Sequence, residues 1–114
     1  MEVLDNGYEC LSLQESAEVK KAIKDAVTKM HNAGFVHGDL RHLNILRRVR
    51  KDSDDNNTQI DIKIVDYDWA GRIEHETTVY PSFLNPGIRR HPGVRSGCQI
   101  QFEHDDFMIA LLTM

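Results

Sequence analysis

His37-Gly38-Asp39-Leu40-Arg41-His42-Leu43-Asn44 is the stretch on which the fold turns. Asp39 and Asn44 stand too far apart to be neighbours on one helical turn. A third oxygen-bearing side chain, Asp66, follows the β-branched run Ile60-Asp61-Ile62-Lys63-Ile64-Val65. Two carboxylates and a carboxamide in this order converge only if the chain folds back on itself, and the apolar strand before Asp66 brings it back.

On the N-terminal side lies a helix. Val19, Ala22, Ile23, Ala26, Val27 and Met30 recur at helical spacing between Ser16 and Asn32, with Glu18, Lys20, Lys21, Lys24 and Asp25 opposite. Ser12 or Ser16 can cap it, and Ser12 has Glu15 at the capping-box offset. Gly34 ends it. Before the helix, residues 1–13 are weakly patterned, with Asn6-Gly7 a turn signal.

On the C-terminal side, Ile45-Leu46 and Ile60–Val65 read as two short strands. The charged stretch Arg47–Thr58 between them reads as an exposed hairpin loop. Its Asp52, Asp54 and Asn56 resemble the first half of a calcium loop, but Asn57 stands where glycine is needed and Lys63 where a bidentate glutamate is needed. Gly71 to Gly97, with Pro81, Pro86 and Pro92, has no sustained period and reads as a long ordered or semi-ordered loop, a length usually reserved for function or disorder. A last helix is expected from His104 or Asp105 through Phe107, Met108, Leu111 and Leu112. No internal repeat is present.

The chain has 114 residues, enough for one domain, and a formal net charge of −4. That balance argues against nucleic acid as a partner, although Arg47, Arg48, Arg50 and Lys51 form a local basic run. Cys10 and Cys98 match no metal spacing and read as free thiols in a reducing, intracellular and cytoplasmic setting. His42, His75, His91 and His104 show no zinc spacing either. No apolar run approaches the roughly 20 residues that span a membrane, so no membrane partner is expected. The chain stops inside the apolar Ala110-Leu111-Leu112-Thr113-Met114, which suggests a piece of a larger domain.

Phosphoryl transfer needs a carboxylate to receive a proton and hard oxygens for magnesium. His37 to Asn44 resembles the protein-kinase catalytic loop H-R-D-L-x-x-x-N, with Gly38 in place of arginine. Ile62 to Asp68 looks like the strand leading into D-F-G, with Tyr67 for Phe and Asp68 for Gly. Met30-His31-Asn32-Ala33-Gly34-Phe35-Val36 is similar to the end of the kinase helix before that loop, and Asp105-Asp106-Phe107-Met108 to the start of the helix that braces it. Asp66-Tyr67-Asp68-Trp69-Ala70-Gly71 and the segment from Tyr80-Pro81 to His91-Pro92 most resemble divergent kinase-like proteins of fungi.

The resemblance covers nearly the whole chain but only part of the family's domain. It implies an α+β fold: residues 1–114 as a single partial kinase C-lobe, from the hinge strand at Met1–Leu4 to the bracing helix. The small lobe and the later helices have no counterpart, so the fragment alone is expected to be inactive. The resemblance implies ATP and Mg2+. Asp39 would be the base, Arg41 a cation facing the transferred phosphate, Asn44 and Asp66 the nucleotide and metal ligands, His37 a structural tie and Asp105 the brace, with Asp106 the alternative register. Gly38 removes the arginine that links many kinases to activation-loop phosphorylation. Asp68 is either a further metal-side carboxylate, as in aminoglycoside and choline kinases, or an exposed turn residue; Trp69 reads as a packing anchor. The acceptor is a protein hydroxyl, or else a small molecule, those small-molecule kinases also favouring His-Gly-Asp. A non-catalytic binding module is the remaining alternative.

Overall fold

A computed structural model describes residues 7–12, 14–51 and 58–113. Within them the chain is mixed α+β, with two α-helices and small antiparallel sheets. Helix α1 spans Ala17–Asn32. Ser16 is its N-cap and accepts from the Val19 N–H at 3.2 Å. Ser12 instead bonds Glu15 one turn earlier. Val19, Ile23 and Val27 form the buried stripe. At the other end Gly34 takes φ +87°, a left-handed conformation that glycine adopts without strain, and donates to His31 O at 2.9 Å.

The turn feeds β2 (Phe35–Val36), which pairs antiparallel with β5 (Gly71–Arg72). The second sheet has the order β1-β3-β4, with β1 at Glu9–Cys10, β3 at Ile45–Lys51 and β4 at Thr58–Ile64. These strands reach further than the sequence predicts, because Arg47 to Lys51 continue β3 rather than opening a loop. Arg48 stands directly across from Asp61 in the ladder, at 2.7 Å from Nη2 to the carboxylate, and Arg50 reaches the same carboxylate at 2.9 Å. Arg47 leaves the sheet for Glu15 at 2.6 Å. Charged residues that pair across strands stabilise a sheet instead of ending it. The calcium-loop resemblance at 52–57 and the hinge-strand reading at 1–4 lie outside the described residues.

Helix α2 spans Phe102–Leu112, starting earlier than the sequence predicts. The cause is a reciprocal cap: His104 Nδ1 accepts from the Gln101 N–H at 3.1 Å. The intervening segment is folded back rather than open. Tyr80 N–H donates to Cys98 O at 2.9 Å and Ile100 N–H to Thr78 O at 3.1 Å.

Two apolar cores result. Leu11, Val19, Ile23, Val27, Leu40, Ile45, Met108 and Ile109 join α1, β3 and α2. Val36, Tyr80 and Ile100 form the other, with Trp69, Ile73 and Phe102 against it. Loop 37–44 runs between them: Val36 and Leu40 are both fully buried, one in each core. Among the described residues no helix is long and apolar enough to cross a membrane.

Candidate functional site

Loop 37–44 is held from below by one carboxylate. Asp105, fully buried in the first turn of α2, accepts from the His37 N–H at 2.9 Å and the Gly38 N–H at 2.8 Å. His31 Nε2, from the last turn of α1, lies 2.9 Å from the same carboxylate. A buried carboxylate without partners is costly, so these three contacts and the loop geometry depend on one another. Asp106 is exposed and lies 3.7 Å from His31 Nδ1. Of the two acidic neighbours, Asp105 therefore holds the loop.

Gly38 makes the crossing possible. Its φ is +90°, and a Cβ there would fall 2.7 Å from Ile100 Cδ1. A side chain would meet both a strained backbone and a filled core.

His37 ties the loop to the strand end. Its Nδ1 accepts from the Asp39 N–H at 3.1 Å and its Nε2 lies 2.9 Å from Val65 O. A carbonyl only accepts and a backbone N–H only donates, so the pair of contacts fixes the neutral tautomer with hydrogen on Nε2. Val65 N–H in turn donates to Asn44 O at 2.9 Å. Asp66, the next residue, then leaves the sheet at φ +60°, an uncommon conformation for a side-chain-bearing residue.

These ties bring Asp39, Asp66, Asp68 and Trp69 around one cleft of about 110 Å³. Asp66 and Asp68 are exposed, and among the described residues neither forms an ion pair. Asp39 is mostly buried. Its Oδ1 receives Arg41 Nε at 2.9 Å and Arg90 Nη2 at 3.1 Å. Its Oδ2 is held more loosely, by Arg41 Nη2 at 3.3 Å and Asn44 Nδ2 at 3.4 Å. Asn44 also donates to Asp39 O at 2.8 Å, which closes the loop on itself. Tyr67 is half-exposed and sets its ring edge against His37 at 5.2 Å. Burial pushes its hydroxyl up from the ordinary tyrosine value.

No three His, Cys, Asp or Glu side chains among the described residues form a ready metal cluster. Magnesium needs less: one or two carboxylates suffice when phosphate and water complete its shell. Asp66 and Asp68, hard oxygen donors open to one cleft, with the Asn44 carboxamide in the adjoining loop, fit that requirement.

Two residues of the site escaped the sequence reading. His31 carried a usable signal, since it continues the buried spacing Val19, Ile23, Val27 by one further turn. Arg90 carried none, lying in a stretch with no period.

With the geometry in place, comparison with known proteins gives one direction. The similarity is to a protein kinase. The chain is 26% identical over 111 residues to calcium/calmodulin-dependent protein kinase type IV of Homo sapiens and, to the same extent, of Rattus norvegicus. The match covers 97% of this chain and 22% of each relative, so the chain spans about a fifth of their length. No family model matches, and no solved structure matches.

Proposed function

We propose that this chain is a partial kinase C-lobe, a single partial domain over residues 1–114, of an ATP- and magnesium-dependent phosphotransferase acting on a protein hydroxyl. One observation carries the reading: a buried carboxylate, Asp105, grips the backbone of His37 and Gly38 and so presents Asp39 to the cleft that Asp66 and Asp68 also line. The distant likeness to a protein kinase supports it independently.

In this reading the acceptor hydroxyl gives its proton to Asp39 Oδ2, the less tightly held oxygen. The freed oxygen attacks the terminal phosphorus of ATP, the bond to the bridging oxygen breaks, and ADP leaves. Arg41 offsets charge developing on the transferred group. Asn44 and Asp66, with Asp68, would hold magnesium, which would screen the triphosphate. His37 and Asp105 orient the loop and touch no substrate. A small-molecule acceptor is the second reading, favoured by Asp68 standing in the same cleft as Asp66.

A thermal-shift titration with Mg-ATP tests the site. Stabilisation in the wild type that disappears in Asp66→Ala is expected. No shift at millimolar Mg-ATP overturns the nucleotide site and leaves a non-catalytic binding module. In the intact enzyme that contains this lobe, transfer of label from γ-labelled ATP to small molecules alone, with none to protein, would replace the first reading by the second.

A further inference from the structure

The motifs above give Arg90 no role, yet it is the most deeply held cation at the site. Its side chain is only 8% exposed. Nη2 donates to Asp39 Oδ1 at 3.1 Å and Nη1 to Gly38 O at 3.3 Å. The guanidinium carbon lies 5.1 Å from the centre of the Trp69 ring. Nε is buried with no partner.

The backbone explains how the side chain gets there. Arg89 and His91 both reach Phe107 on α2, each at 5.7 Å. Arg90, between them, turns the other way, toward Gly38 and Asp39. There it meets loop 37–44.

We propose that Arg90 is a positioning residue for Asp39. It pins Oδ1, keeps Oδ2 as the oxygen that faces an acceptor, and so couples segment 73–101 to the loop that carries the base. This rests on the phosphotransfer reading of Asp39. A planar fork can serve Asp39 and Gly38 O together while stacking on an indole; an ammonium cannot. Arg90 with Arg41 also sets two cations on the Asp39 carboxylate, which offsets part of the negative charge that Asp39, Asp66 and Asp68 bring to the cleft.

The test follows the arginine Nε–Hε signals of the full chain by ¹H–¹⁵N NMR, with Arg90 assigned through Arg90→Lys. Asp39→Asn preserves shape and removes the anion. The Arg90 signal is expected to shift and to exchange faster with solvent in that variant. A merely structural arginine, held by Trp69 and Gly38 O alone, would leave it unchanged, and that result overturns the inference whatever nucleotide does. Turnover of Mg-ATP by the intact enzyme that contains this lobe gives the second arm: Arg90→Met should lower kcat by about tenfold or more with KM within about twofold, and Arg90→Lys should recover part of the loss. Equal kcat in the three proteins overturns the inference as well. A wild type that Mg-ATP fails to stabilise sinks the phosphotransfer reading instead, and the Arg90 signal still decides the contact.

Discussion

Asp105 keeps its carboxylate where water does not reach, and the loop above it is built on that carboxylate. Asp105→Asn changes one acceptor oxygen into a donor facing the N–H groups of His37 and Gly38. We expect a loss of about 3 kcal/mol in urea unfolding, the scale for breaking a buried charged hydrogen-bond set. A loss below about 1 kcal/mol would mean that the loop holds its shape without the brace. Gly38→Ala should cost about 1–3 kcal/mol in the same assay, since φ +90° and the Ile100 contact oppose a methyl group together. His104 supplies a pH prediction. Burial, and then the neighbouring His91, hold its imidazole below the ordinary value, while Glu103 and Asp105 pull the other way. A group with a depressed folded pKa stabilises the fold above its unfolded value, about 6.5, and that contribution is lost as pH falls through the folded value. His104→Gln keeps an acceptor for the Gln101 N–H and does not titrate. The melting temperature of the wild type should therefore fall relative to His104→Gln as pH drops from about 7 to about 5. A gap constant over that range counts against a buried neutral His104.

Among the elements, α1 was the most legible. Its apolar period and terminal glycine are local signals, and they mark the helix to within a residue. Its cap had two candidates, and the structure chooses Ser16. Ser16→Ala should destabilise by about 1 kcal/mol, while Ser12→Ala, which removes exposed contacts to Gln14 O and Glu15 ahead of the helix, should cost clearly less. Equal costs in thermal unfolding would reassign the cap. Strand β3 was half-legible. Arg47, Arg48 and Arg50 look like loop residues until Glu15 and Asp61 are placed beside them, and those partners lie far away in sequence. Asp61 is held below its ordinary value mainly by the Arg48 hydrogen bond, then by Arg50. The basic run is thus largely answered within the chain, which removes the reason to seek an acidic partner there. The start of α2 was misplaced because histidine is a rare partner in a capping box. At the site, Asp39, Asn44 and Asp66 could be nominated by residue type and order, and Asp68 only through the family resemblance. Arg90 could not, because only the packing of Arg89 and His91 against α2 turns it inward.

At the scale of the whole molecule, the cleft is small for a nucleotide. The described residues enclose about 110 Å³ around Asp39, Asp66, Asp68 and Trp69. Pockets that hold drug-sized ligands run to roughly 300–1,000 Å³. This cleft therefore has room for a phosphate chain and its metal, and little to offer a ribose or a purine. The chain is also acidic, at −4, so a bare triphosphate is repelled where Mg2+ would bridge it to the carboxylates. Two consequences can be measured together. Mg-tripolyphosphate should raise the melting temperature nearly as much as Mg-ATP at the same concentration, each adding about 1.4 kcal/mol at ten times its Kd. ATP with a chelator should add nothing. A far larger shift with Mg-ATP would show that adenosine has its own contacts. The place to look would be the groove of about 740 Å³ between α1 and β4, lined by Ala22, Ala26, Met30, Ile62 and Ile64 and reaching Tyr67 beside Asp66. Ile62→Glu, which puts a charge into that groove, would then lower the Mg-ATP shift and leave the tripolyphosphate shift as it was. If both shifts are equal from the outset and Ile62→Glu alters neither, phosphate and metal account for all of the binding energy.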